Sequence, residues 1–303
     1  MNKANKLKDN YYNVIKEKLL EDIAYSAIKD MSKERHKSQT NYDVGEMLAL
    51  AGKHYGENII KEYSNKLTSE LNKNYSITTL KYYRQFYYFA KSHSLSDRLS
   101  YTHYKELLSI KDEDKLNYYI NITIEHNLSV RQLQDRIKTK EYERLDEETK
   151  LKLINKEDTT IIDLVPNPIV IKSSNIKDKE HIKEYALKET ILDDLDNFLS
   201  QLGTGYTYVS NKYKIKIGNT FNYIDLLLFN YEYNCFIVIE LKVTELKKEH
   251  LGQIQVYMNY IDTNVKKIYH DKTIGIILVR KDNKYIVKYS SDERIISREY
   301  ELV

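Results

Sequence analysis

The sequence reads as an α plus α/β chain, with an all-helical N-terminal domain followed by an α/β domain on a mixed sheet. Three observations lead there. Residues 1–150 contain no proline, and apolar side chains such as Tyr12, Ile15, Leu19 and Ile23 recur every three or four residues, as on one helical face. Both prolines of the chain, Pro166 and Pro168, fall within 151–177, where that periodicity lapses. Proline has no N–H to donate and disfavours helix at the residue before it, so this stretch reads as a domain linker. Beyond it, apolar runs of strand length alternate with helical segments.

The expected domains are therefore 1–150 and 178–303. In the first, the helical spacing continues through Met47 and Leu50. In the second, a helix is expected over 178–202, stopping near Gly203 and Gly205. Strands are expected at 206–209, 213–217, 223–229 and 235–242. A second helix follows over 247–261, then strands at 274–280 and 285–288.

A length of 303 residues suits two domains, and 41% hydrophobic residues suffice for real cores. No run of about 18 apolar residues is present, which excludes a membrane-spanning helix. The start, MNKANKLKDN, lacks the apolar stretch of a secretory signal. Cys235 is the single cysteine, so no internal disulfide forms, in keeping with a reducing cytoplasm. A net charge of +3 favours no partner, and local charge has to be read instead. The chain has 29 Tyr against 6 Phe and no Trp. AT-rich coding would produce the same excess, given the abundant Lys, Asn and Ile.

The densest chemistry lies between 225 and 257. Asp225 interrupts the apolar run YIDLLLF, and Glu240 and Lys242 interrupt FIVIELKV. Charges in such strands are costly to bury unless paired or bound to metal. Strand alternation puts Glu240 and Lys242 on one face, with Ile239 and Leu241 on the other. Two carboxylates and an ammonium converging on one edge would hold a hard divalent cation and a nearby phosphate. The plainer reading is an ion pair between Glu240 and Lys242, with Asp225 capping a turn. Context weighs against it: an acid in one apolar strand, E-x-K in the next, then a helix bearing Gln253 and Tyr257.

Taken together, IDLLLF, FIVIELKV, LGQIQVYMNYID and IGIILVR resemble the PD-(D/E)xK nuclease domain of YhcG-type bacterial proteins, with similarity extending upstream through FLSQLGTGYTYV. The N-terminal half resembles the helical domain that accompanies it, in LSYTHYKELLSIKDEDKLNYY and NLSVRQLQDRIKTKEYERL. The resemblance implies a restriction-endonuclease-like α/β fold. It makes Asp225 the motif aspartate, Glu240 the second acid, Lys242 the lysine and Gln253 the following glutamine. Ile224 stands where the motif proline would be. It further implies Mg²⁺, with Mn²⁺ able to substitute, held by Asp225, Glu240 and the Leu241 carbonyl. An acid from the first helix of the domain often joins such sites. Glu189 is the candidate and Asp193 its rival, and either also reads as a solvated helix charge. Lys242 would act on the attacking water and the phosphate.

Between 71 and 105 there are six cations, Lys73, Lys81, Arg84, Lys91, Arg98 and Lys105, against the single acid Asp97. Seven tyrosines and two phenylalanines share the window, a mixture suited to backbone neutralisation and base stacking. Ser76 is placed to cap a helix running to Lys91. On it Leu80, Tyr83 and Tyr87 would face inward, and Lys81, Arg84, Gln85 and Tyr88 outward. This resembles the second helix of a helix-turn-helix-like element. Lys81, Arg84, Tyr88, Lys91 and, in the other domain, Tyr257 are the candidate nucleic-acid contacts. The plainer reading is an amphipathic helix with tyrosines in its core. His103 lacks a second His or Cys at ligand spacing, so packing or hydrogen bonding is expected of it. KDEDK at 111–115 reads as a loop or helix start. Arg131, Arg136 and Arg144 are expected to pair with acids such as Asp135 and Glu141.

The expected function is metal-dependent hydrolysis of DNA phosphodiesters. The resemblance adds defence against foreign DNA or processing of branched DNA as roles, and a homo-oligomer through the helical domain is compatible with it. The alternative is a catalytically silent nucleic-acid-binding or assembly module on a nuclease fold.

Overall fold

The computed structural model describes residues 3–26, 33–173, 179, 181–288 and 292–303. They form two compact units, Met1–Asp135 and Arg136–Val303. Among the described residues no helix is long and apolar enough to cross a membrane.

The first unit is helical: α1 (Lys3–Ser26), α2 (Lys33–Tyr55), α3 (Asn58–Leu71), α4 (Ile77–Ser92), α5 (Tyr101–Leu107), α6 (Glu113–Glu125) and α7 (Val130–Lys138), the last running across the division. Its core gathers Ile15, Leu19, Val44, Leu48, Ile60, Tyr63, Leu67 and Leu80 from α1 to α4. A Cβ on Gly45 would fall 2.2 Å from the Tyr83 carbonyl oxygen, so glycine is what lets α2 lie against α4. The caps are local. The Ser76 hydroxyl accepts the Thr79 amide at 3.1 Å and starts α4 where the sequence places it. Asp112, inside KDEDK, accepts from the Lys115 amide and starts α6. His103 closes a capping box with Ser100, and its Nε2 bonds the Leu128 carbonyl at 3.0 Å, a hydrogen-bonding role as expected.

The second unit opens with α8 (Glu147–Asn155) and β1 (Ile169–Ile171). Then follow α9 (Glu184–Asp193), α10 (Leu195–Leu202), β2 (Tyr206–Ile217), β3 (Thr220–Asn230), β4 (Cys235–Glu245), α11 (Lys248–Asn264), β5 (Ile274–Lys281), α12 (Lys284–Lys288) and β6 (Ile295–Leu302). The six-stranded sheet has the order β1-β6-β5-β4-β3-β2. Strands β2, β3 and β4 pair antiparallel, and β4, β5, β6 and β1 pair parallel, so the sheet is mixed as expected. One face packs Leu226, Leu228, Ile237, Ile239 and Leu241 against Leu187 and Ile191 of α9 and Phe198 and Leu202 of α10. The other packs Leu227, Val238, Ile277 and Val279 against Ile254, Tyr257, Met258 and Ile261 of α11. A Cβ on Gly275 would stand 2.5 Å from Met258 Sδ, so this glycine sets how closely α11 approaches β5.

Several expectations change. The described part of 151–177 is not a free linker. Ile161, Val165, Ile169 and Ile171 lie in the core, and β1 pairs with β6 from Ile169–Tyr300 to Ile171–Leu302. Its irregular backbone is held by two half-buried arginines: Arg298 donates to Val165 O and Ile162 O, and Arg144 to Pro168 O, while Arg144 also donates to Thr139 O and Gln201 outside the segment. A segment whose carbonyls are satisfied by distant side chains needs no local periodicity. Arg136 does pair with Glu141, at 2.7 Å and buried. The helix expected over 178–202 breaks at Asp194 (φ −132°) into α9 and α10. The expected strand 285–288 is the short helix α12, and the last parallel strand is β6.

Candidate active site

Strand β3 leaves β4 at one point. The two pair from Asn230–Cys235 to Leu226–Ile239, and there the ladder stops. Asp225 is the next residue of β3. Its Oδ2 accepts the Leu241 N–H at 3.1 Å, taking the place of a strand carbonyl, and its own N–H points at Glu240 Oε1 at 3.5 Å. The carboxylate thus sits in the cleft where the strands splay. Strand β4 continues alone on that side, pairing Glu240–Ile277 and Lys242–Val279 with β5.

Glu240 lies on the α11 side of the sheet and is only 2% exposed. Burial, and then the Asp225 charge, push its carboxyl up to about 7, opposed by Lys242. Lys242 Nζ stands 3.4 Å from Glu240 Oε2, the ion pair that the plainer reading anticipated. From the opposite side of the sheet, Lys188 of α9 donates to Asp225 Oδ1; its side chain is about nine-tenths buried. Gln253 of α11 donates to the Tyr257 hydroxyl at 3.0 Å, one helical turn along.

Each predicted residue can be placed. Asp225, Glu240, Leu241 and Lys242 meet where β3 and β4 part, and Gln253 stands on the helix covering the Glu240 face. Glu189 does not complete a three-acid group: among the described residues, no three His, Cys, Asp or Glu side chains gather as for a metal. The α9 residue that reaches Asp225 is its neighbour Lys188, which sequence reasoning missed because an isolated helix lysine reads as solvated. Tyr257 is buried against Ile254 and Met258 and anchors Gln253, so it is not a surface contact for nucleic acid.

On α4, Lys81, Lys91 and Tyr88 are exposed. Arg84 is not a free cation: it grips Glu57 through both guanidinium nitrogens, at 2.7 and 2.9 Å. Most rings of the 71–105 window are core. Tyr75, Phe86, Tyr87, Tyr101 and Tyr104 are buried, and Lys91 lies over the Tyr87 ring. The window's aromatic content therefore reflects packing.

A divalent cation fits the donor set. Asp225 and Glu240 offer hard oxygens, and the Glu240 carboxyl is raised by burial first and then by the Asp225 charge, both of which a bound dication would offset. Lys188 and Lys242 now supply the compensating charge.

An acid at the end of one strand's pairing, E-x-K on the next and a helix covering the latter define a nuclease domain of the PD-(D/E)xK type. Residues 163–302 match the family model of the YhcG PDDEXK nuclease domain, and residues 17–144 that of the DUF1016 N-terminal domain. Each half of the chain is thus similar to one of these two domains. It is 28% identical over 181 residues to "Putative nuclease YhcG" of Escherichia coli (strain K12), across 58% of this chain and 48% of that protein. The chain thus spans about half the length of that curated relative. Two solved structures also align. A repair endonuclease from Pyrococcus abyssi does so over 43% of this chain and 49% of its own, at 15% identity and a TM-score of 0.27. The EndoMS–dsDNA2 complex does so over 42% and 48%, at 17% and 0.28. At such scores these alignments carry no argument, and the fold rests on the sheet and helices above.

Proposed function

We propose that the second unit hydrolyses DNA phosphodiester bonds with a divalent cation, Mg²⁺ or Mn²⁺, held by Asp225, Glu240 and the Leu241 carbonyl. The observation that supports this reading is the placement of Asp225 where β3 leaves β4, its carboxylate anchored by the Leu241 amide beside buried Glu240. When bound, the cation supplies Lewis acidity, lowering the pKa of a coordinated water and screening charge on the phosphate. Lys242, on the same strand face as Glu240, orients that water and offsets charge developing on the phosphate oxygens. Lys188 balances Asp225 from the other side. Gln253, fixed by Tyr257, positions Lys242 or the scissile phosphate. Lys81, Lys91 and Tyr88 of α4 remain exposed for DNA contacts in the first unit. The defence or branched-DNA roles belong to this same reading, and the substrate panel below separates them.

The test is cleavage of linear, nicked and branched DNA with Mg²⁺, Mn²⁺ or EDTA, by the parent and by Glu240→Ala and Lys242→Ala. Both variants are expected to lose cleavage by different routes. Glu240→Ala should weaken cation binding in calorimetry, whereas Lys242→Ala should leave it intact or slightly tighter, since an ammonium is no ligand. Parental cutting by either variant would move the active site elsewhere, and no cutting by the parent with either cation would favour a silent binding module.

A further inference from the structure

The β2–β3 hairpin runs beyond the sheet. Pairing of β3 with β4 ends at Leu226, whereas pairing of β2 with β3 continues through Tyr213–Ile224 and Lys214–Tyr223 to Ile217–Thr220. A two-stranded arm therefore projects past Asp225, closed by a two-residue turn at Gly218 (φ +58°) and Asn219. Its base is anchored on the α11 side, where Ile215 and Ile224 are buried.

The opposite face of the arm is open and one-sided in charge. Lys212, Lys214 and Lys216 alternate along β2 and are all exposed, and no acid occurs anywhere in 206–224. Across from them on β3 stand Tyr223 and Phe221, paired with Lys214 and Lys216 and 52% and 51% exposed. The two rings, on one face of the same strand, form a contiguous apolar patch rimmed by lysines, the arrangement that interaction sites use. Lys214 Nζ lies 3.8 Å from the Phe221 ring centre, so cation and ring are already held together. The stripe continues onto α9. Lys212 Nζ approaches the Tyr185 ring at 5.7 Å, and Tyr185 lies one turn before Lys188, the residue bonded to Asp225. Alternate residues on a strand are about 7 Å apart, comparable to the separation of successive phosphates along a nucleic-acid strand.

We infer that this arm is a DNA-docking surface. Lys212, Lys214 and Lys216 neutralise successive backbone phosphates, Phe221 and Tyr223 pack on exposed sugar or base edges, and the strand is led towards Asp225. Polyanion complementarity, rings among cations and continuity with the carboxylate cleft single out DNA as the occupant over an acidic protein. The inference takes the identity of its ligand from the proposed nuclease reading but is measured without cleavage.

The experiment is fluorescence anisotropy of a labelled DNA duplex with the full chain in EDTA, over a range of salt. The triple variant Lys212→Gln, Lys214→Gln, Lys216→Gln is expected to bind at least about tenfold more weakly at low salt. Its log–log salt slope should fall by about 2 to 3, at about 0.9 per phosphate contact. Phe221→Ala with Tyr223→Ala should weaken binding with the slope unchanged. Circular dichroism melts establish that all variants fold, and a control triple, Lys156→Gln, Lys267→Gln, Lys272→Gln, removes equal charge from exposed lysines elsewhere in the same unit. Parental affinity and slope in the arm triple would overturn the inference, as would an equal loss in the control. Equally effective competition by an RNA duplex would overturn the assignment to DNA. Cleavage by Glu240→Ala at the parental rate would defeat the active-site reading while leaving this measurement of the arm intact.

Discussion

Burial and the neighbouring Asp225 charge push the Glu240 carboxyl up to about 7, against 4.5 for the free side chain. Without cation, the folded state therefore keeps a proton that the unfolded chain releases between those values. The stabilisation is fully present below about 4.5 and is lost as pH rises through about 7, an effect on the order of 3 kcal/mol. Urea denaturation in EDTA at pH 5 and pH 8 should show this decline for the parent and a much flatter profile for Glu240→Gln. Lys188 adds a second test at this scale. Its ammonium sits on one oxygen of the Asp225 carboxylate, so removing it removes a positive charge that competes with a cation for that carboxylate. Lys188→Met is expected to bind Mn²⁺ more tightly, by roughly three- to tenfold on that Coulomb argument. Calorimetry showing weaker binding would make Lys188 a support for Asp225 rather than its competitor. Asp225, Glu240 and Lys242 were legible in the sequence because charges in apolar strands stand out. Lys188 was not, because its partner lies 37 positions away.

Element by element, the caps and glycines are where local chemistry sets the packing. Ser76→Ala should cost about 1 kcal/mol, the usual worth of an N-cap, read as a lower urea midpoint. Gly275→Ala should cost more, about 1–3 kcal/mol, because the new methyl meets Met258 Sδ and Ile254 Cδ1 at 2.5 and 2.9 Å. It should also lower cleavage by shifting α11 and with it Gln253; full activity with reduced stability would separate the helix's packing from its positioning of that residue. Helix α4, strands β3 to β5 and helix α11 announce themselves through period and caps. Strand β6 does not. Its residues Ser297, Arg298 and Glu299 are polar, yet they bond Asp282, Val165 O and Asp282 N within the fold, so a polar run becomes the strand between β5 and β1.

For the whole molecule, a cation that binds only the folded second unit must stabilise it. Mg²⁺ in excess should raise the parent's Tm relative to EDTA, by several degrees at saturating concentration, on the usual scale of about 4–8 °C per kcal/mol for a small domain. Asp225→Asn with Glu240→Gln should abolish the rise; a rise that survives would place the cation elsewhere. The division of the chain into a helical part and a mixed-sheet part, the acids and lysine in apolar strands, and the helix carrying Gln253 all follow from patterns of a few residues, because strand and helix periods are local. The boundary between the units, the strand within 151–177, the contact of Lys188 with Asp225, the burial of Tyr257 and the pairing of Arg84 with Glu57 do not. Each depends on which distant group satisfies a carbonyl, a carboxylate or an apolar surface, and that is decided only when segments far apart in sequence are brought into contact.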